Sequence, residues 1–264
     1  MAAKWTLRAV ALGYVGLLLL FPVGLILWRT FQGGIPPVWT ALTTPDALHA
    51  LWLSVLIALI AVPANTIFGI LFALMLVRHS FPGKRLLSAF VALPLGVSPI
   101  VVGLAIVLVY GRFGWFGPWL TDHNIQIIFA LPGMVLATIF VCLPFVAREV
   151  VPVLQEIGTE QEQAAATLGA SPLQSFWRIT LPAIRAGVGY GVVLTTARAL
   201  GEFGAVTVVS GRLIGQTETL TLYVEDRYQS FDTTGAYTAS VTLAVLALMT
   251  VLVMGLLKPK KETV

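Results

Sequence analysis

Residues 160–182 read Glu160-Gln-Glu-Gln-Ala-Ala-Ala-Thr-Leu-Gly-Ala-Ser-Pro-Leu-Gln-Ser-Phe-Trp-Arg-Ile-Thr-Leu-Pro182. The stretch lies between two apolar runs of bilayer-crossing length, and it is the one long segment that reads as ordered, water-facing structure. Thr159 followed by Glu162 spells a capping box at a helix start. Three alanines, strong helix formers, come next. Gly169 fits the left-handed position that ends a helix, and Ser171-Pro172 starts another, with serine as N-cap and proline in the first turn. A second short amphipathic stretch, Leu173 to Ile179, leads to Leu181-Pro182 and the next apolar run. The reading is helix, sharp turn, helix. Glu156, Glu160 and Glu162 on an alanine-rich surface do not suit a helix lying on headgroups, which needs basic and bulky apolar faces. They suit a groove on another protein.

Working outward, the flanks settle the class. The chain has 264 residues, 58% of them hydrophobic and 11% charged, against about 25% charged in soluble domains. A bilayer core of about 30 Å needs about 20 apolar residues per helix. Uncharged runs cover residues 9–28, 50–77, 86–111, 125–147 and 233–257, and a sixth, 186–210, is interrupted only by Arg198 and Glu202. An all-α membrane protein follows, with six transmembrane helices in a single membrane domain over residues 1–264 and a loop at 149–184 between spans 4 and 5. The first run exceeds the 7–15 apolar residues typical of a signal peptide, so it is expected to stay as an anchor. Lys4, Arg8, Arg78, Lys84, Arg85, Arg148, Arg178, Arg185, Lys258, Lys260 and Lys261 fall on one side of these spans; only Arg29, Arg112, Arg212 and Arg227 fall on the other. The positive-inside rule then places both termini and the 149–184 loop in the cytoplasm, in an inner (plasma) membrane protein. The net charge of +4 is scattered over span ends and forms no stripe for nucleic acid. Cys142, alone in an apolar run, reads as a small buried hydrophobe. His49, His79 and His123 sit near span ends as anchors, and no metal site is expected.

Prolines punctuate the spans at Pro22, Pro63, Pro94, Pro99, Pro132 and Pro144, and Pro94 and Pro99 bracket Gly96. The third span is therefore expected to break. Gly187 and Gly191 form a small-xxx-small pair, which lets helix backbones approach closely. Arg198 and Glu202 stand one turn apart on one helix face. Intramembrane charges are costly and point to function, so with Gly201 and Gly204 they mark either the solute pathway or a lock on the bundle.

The 160–182 stretch resembles the EAA loop of ABC importer permeases: Glu-Ala-Ala, three residues, Gly, nine residues, Ile-x-Leu-Pro. Here Gln163-Ala164-Ala165, Gly169 and Ile179-Thr180-Leu181-Pro182 keep every spacing, with Gln163 in place of the motif's glutamate and Glu162 beside it. The resemblance implies a type I ABC importer (MetI-like) permease fold whose coupling helix seats in a groove of a separate ATPase. Glu162, Gln163, Ala164, Ala165, Gly169, Ile179, Leu181 and Pro182 are then the coupling residues, with Glu162 a substitute source of the missing charge. Arg198-Ala-Leu-Gly-Glu-Phe-Gly-Ala-Val is similar to the oxyanion branch of these permeases, and Thr217-Glu-Thr-Leu-Thr-Leu-Tyr-Val-Glu225 to its sulfate/thiosulfate permeases of the W type. His49-Ala-Leu-Trp-Leu-Ser, Phe81-Pro-Gly and His123-Asn-Ile-Gln-Ile are similar to sulfate/thiosulfate permeases of the W type. This implies two ATPase subunits that bind the ATP, a T-type second permease and an external sulfate-binding protein, with no cofactor and no catalysis in this chain. A molybdate or tungstate permease is the alternative within the branch. A stand-alone secondary transporter is expected to show broken helices in both halves, whereas the proline-rich second to fourth spans lack a matching half.

Overall fold

The computed structural model describes residues 2–257, and every regular element among them is a helix. α1 (Ala2–Val15) and α2 (Phe21–Phe31) join through a π-turn at Gly16–Leu20, and Thr6–Phe31 forms one long apolar helix. After the short α3 (Ile35–Leu42) comes α4 (Pro45–Arg78), begun by the Thr44 side chain accepting from Ala47 N–H at 3.3 Å. α5 (Lys84–Gly96) and α6 (Pro99–Tyr110) follow, then the short α7 (Gly117–Asp122) and the long α8 (Leu131–Ile157). α9 (Glu160–Thr167), α10 (Pro172–Ser175) and a π-turn at Phe176–Thr180 lead into α11 (Leu181–Leu200). α12 (Gly204–Val209), α13 (Leu220–Gln229) and α14 (Thr233–Leu257) complete the described residues. Five helices are long and apolar enough to cross a membrane, and α5 with α6 supplies the sixth crossing as a pair bent by 112°.

The break at Val97-Ser98 falls where Pro94, Gly96 and Pro99 place it: Pro99 has no N–H to continue a helix and biases Ser98 away from helical torsions, and Ser98 is extended (ψ 132°). Past the break, α6 lies against α12. A Cβ on Gly103 would meet the Ala205 carbonyl at 2.7 Å, and one on Gly204 would meet Pro99 at 2.9 Å. The two glycines interlock the helices.

The centre of the bundle is α8, packed along α4 on one side and α11 on the other. Val146, Val150 and Leu154 form its buried stripe, with Ala73 of α4 and Ile184 of α11 against it. Val146 is held between two glycines: a Cβ on Gly69 would come within 2.6 Å of it, and one on Gly191 within 2.7 Å of its Cα. Gly187 approaches the Glu149 carbonyl in the same way, at 2.9 Å. The small-xxx-small pair is thus a backbone contact of α11 on α8, the packing mode that replaces the hydrophobic drive inside lipid.

The fourth and fifth spans differ from the sequence reading at both ends. The fourth span was placed at 125–147, but residues 124–130 are loop, with Asn124 and Phe129 at positive φ, and α8 begins at Leu131 with Pro132 in its first turn. At its other end α8 continues to Ile157, so Glu156 belongs to this span and not to the loop helix. Hydropathy ends at Arg148, but the i,i+4 stripe of Val146, Val150 and Leu154 carries the helix onward. The fifth span, placed at 186–210, starts earlier and stops at Leu200; residues 201–203 are unwound before α12. Lys258, Lys260 and Lys261, used in the charge count, lie outside the described residues.

Candidate coupling element and intramembrane ion pair

Gly158, at φ 68°, stops α8 and turns the chain into α9. Glu160 and Glu162 in the first turn of α9 favour the positive end of the helix dipole. The helix closes with a Schellman motif: Gly169 N–H donates to Ala166 C=O and Ala170 N–H to Ala165 C=O, each at 3.0 Å, with Gly169 at φ 87°. Ser171 then builds a full capping box, its Oγ accepting from Gln174 N–H at 3.3 Å while its own N–H donates to Gln174 Oε1 at 2.9 Å. The sequence places both features. It misplaces one: Thr159 and Glu162 form no capping box. Thr159 Oγ1 instead accepts from Gln163 Nε2 at 3.1 Å, and Glu162 turns towards the bundle. Nor is the second half a separate short helix, because α10, the π-turn and α11 run on as one apolar helix from Pro172 to Leu200.

Glu162 meets Arg78, the last residue of α4, through two contacts: Nε to Oε2 at 3.0 Å and Nη2 to Oε1 at 3.1 Å. Thr180 donates its hydroxyl to the same Oε1 at 2.7 Å, and Arg78 Nη1 donates to the Leu154 carbonyl of α8 at 3.2 Å. The pair is largely shielded, with side-chain exposures of 12% and 25%. The eight sequence-predicted coupling residues therefore divide. Gln163, Ala164, Gly169 and Pro182 are exposed, while Glu162, Ala165, Ile179 and Leu181 are half-buried. The outward face is completed by Leu168, Leu173 and Trp177, at 88%, 67% and 60% exposure. Sequence reasoning missed Arg78 and Thr180 as members of this site. Arg78 was visible only as a charge ending a span.

In the bundle, Arg198 Nη1 and Glu202 Oε2 are 2.5 Å apart, but the geometry is not that of a pair on a continuous helix. α11 ends at Leu200, and Glu202 lies in the unwound segment. Its Oε1 accepts from Ala205 N–H at 2.9 Å, satisfying the start of α12, and its carbonyl accepts from Thr221 Oγ1 at 2.8 Å. The Glu202 side chain is 1% exposed and that of Arg198 31%. Gly201 forms the end of α11, and Gly204 permits the approach to Pro99.

At the end of α4 remote from Arg78, the 211–229 segment folds back onto the bundle. Ser54 Oγ accepts from Leu220 N–H at 2.8 Å, Arg212 pairs with Glu225 at 3.1 Å, and Arg227 lies 3.9 Å from Asp46 and 4.8 Å over the Tyr223 ring. Glu218 beneath them is 2% exposed. Burial, reinforced by Asp226 and Asp46 and opposed by Arg227, pushes its carboxyl up to about 7.

A helical bundle with a broken third crossing and a helix–glycine–helix rooted between α8 and α11 defines a type I ABC importer permease, a membrane subunit without catalytic chemistry of its own. Residues 65–263 match the family described as binding-protein-dependent transport system inner membrane component, and the chain belongs to that family. Relatives include the sulfate transport system permease protein CysW of Synechocystis sp., 51% identical over 97% of this chain and 93% of that protein, and CysW of Escherichia coli, 48% identical over 98% and 89%. CysT of Escherichia coli is 37% identical over 89% and 86%. Among solved structures, a chain of a bacterial alginate ABC transporter superposes with a TM-score of 0.79 at 19% identity, covering 96% of this chain and 93% of that one. The MetNI methionine ABC transporter matches at 0.60 and 19%, covering 80% and 94%.

Proposed function

We propose that this chain is a permease subunit of an ATP-driven sulfate/thiosulfate importer, forming half of the transmembrane pathway and coupling to a separate ATPase through residues 159–182. The observation that carries the reading is α9, an exposed alanine-rich helix held at the end of the bundle with Gln163, Ala164 and Leu168 facing outward. The 264 residues contain no Gly-x-x-x-x-Gly-Lys-Ser/Thr phosphate loop, so ATP and its hydrolysis belong to two partner subunits. For the substrate, the support is identity of 48–51% with permeases named for sulfate. The W-named relatives match at these values and the T-named ones at 36–38%, which favours a T-type neighbour across the pathway over a second copy of this chain. An external sulfate-binding protein would deliver the anion. Arg78, Lys84, Arg85, Arg178 and Arg185 cluster at the α9 end, which the positive-inside rule assigns to the cytoplasm with both termini; the Asp46 end then faces outward.

Within this reading Glu202 and Arg198 take different parts. Glu202, buried and bonded to Ala205 N–H and Thr221, locks the unwound ends of α11 and α12. Arg198 keeps part of its guanidinium open and offers positive charge to an anion in the pathway.

The test is labelled sulfate uptake in cells making the chain with a T-type permease, an ABC ATPase and a sulfate-binding protein. Uptake is expected to be suppressed by unlabelled thiosulfate and indifferent to molybdate. The reverse pattern moves the chain to the molybdate/tungstate importers, and failure to co-purify with the ATPase in mild detergent removes the importer reading altogether. Arg198→Gln is expected to keep assembly and lose uptake; loss of both would make it part of the lock.

A further inference from the structure

We propose that Glu162 is a positioning residue that clamps the coupling helix to the bundle through Arg78 and Thr180, so that displacement of α9 is delivered to α4, α8 and α11 together. The inference rests on the coupling role of α9 and adds how its motion enters the membrane part.

Little else holds α9. No residue of the helix is buried. The chain enters it through Gly158 at φ 68° and leaves it through Gly169 at φ 87°. Residues of this type rotate with little steric resistance, so α9 is suspended between two swivels. Across this joint stands one shielded ion pair, in which Arg78 Nη2 donates a charge-assisted hydrogen bond to Glu162 Oε1 and Nε lies 3.0 Å from Oε2. Arg78 closes the C-terminal end of α4 and also donates to the Leu154 carbonyl in the last turn of α8; Thr180 carries the contact into the start of α11. Four elements meet at two side chains.

The position of the acid along α9 fits this role. Successive helical residues point about 100° apart, so an acid at 162 faces inward where one at 163 would face outward. Here residue 163 is a glutamine on the exposed side, bonded to Thr159. The Glu162 carboxylate is spent on its own bundle, and exposed Glu160 is the acid left on the outward side of α9.

The experiment uses the assembled importer in proteoliposomes, comparing Glu162→Ala, Arg78→Gln and the double variant. Each single variant is expected to co-purify with the ATPase and hydrolyse ATP, while the sulfate moved per ATP falls about tenfold or more, since the ion pair and its charge-assisted hydrogen bond are lost. The double variant is expected to be no worse than either single one, as befits partners in one contact. Glu162→Gln, which retains an acceptor for Thr180, should recover part of the ratio. A spin label on Gln163→Cys should gain mobility when Glu162→Ala is added, a readout that needs no ATPase. An unchanged transport-to-hydrolysis ratio or an unchanged label would overturn the clamp. Loss of ATPase binding by the variants with label mobility unchanged would make Glu162 a docking contact instead. If the unaltered chain itself binds no ATPase, the underlying coupling reading fails, and the control shows it.

Discussion

At Glu218 a carboxyl sits 2% exposed beneath the Asp46, Asp226 and Arg227 cluster, pushed up to about 7 chiefly by burial. A group whose folded value lies above its ordinary 4.5 binds its proton more tightly when folded. Its contribution to stability is complete below about pH 4.5 and is lost as pH rises through about 7. The thermal midpoint of the purified chain should therefore be higher at pH 6 than at pH 8, and Glu218→Gln should flatten that difference. Equal pH slopes in both proteins would refute the assignment. The same scale shows where reading residues one at a time failed. Thr159 and Glu162 have the right spacing for a capping box, but a cap is a local bond worth about 1 kcal/mol. Arg78, remote in sequence, offers a shielded two-pronged ion pair, and the carboxylate follows it. No local pattern announces that competition.

Helices were legible where their signals were local. Gly169, Ser171 and Pro172 mark the turn after α9, and Pro94, Gly96 and Pro99 mark the corner between α5 and α6, as the torsions bear out. The length of α8 was hidden, because an apolar run measures what suits lipid and not where a helix stops. Gly187 and Gly191 were legible as a pair, whereas Gly69 stood alone and showed its purpose only once Val146 lay against it. That sandwich makes a sharp prediction. Gly191→Leu must push side chain into the α8 backbone, where overpacking costs about 1–3 kcal/mol or more. Its detergent-solubilised midpoint should drop clearly, whereas Gly189→Leu, with open space around the glycine, should stay near the parent value. Similar losses at both positions would mean that α8 and α11 are not packed this closely.

For the molecule as a whole, the partition of labour follows the two ends of α4. One end gathers Arg78, Glu162 and Thr180 and ties α9 to the bundle. The other gathers Asp46, Arg227 and Glu218 and holds the 211–229 segment in place. Between them lie the unwound residues 97–98 and 201–203, brought together by Gly103 and Gly204. The corner between α5 and α6 also bears on how the chain enters the bilayer. Each arm is only about 20 Å long, short of the roughly 30 Å of hydrocarbon, and α12, the surface on which α6 rests, is synthesised long after it. The third crossing therefore has to wait. A chain truncated at Leu200 should leave a cysteine at position 115 open to an impermeant maleimide from both faces of the membrane, and the complete chain from one face only. Identical labelling of the two would show that α5 and α6 settle without it. On this expectation biogenesis has an order written into it: the corner is a late-maturing seam, and the ribosome has to reach α12 before the middle of the bundle can close.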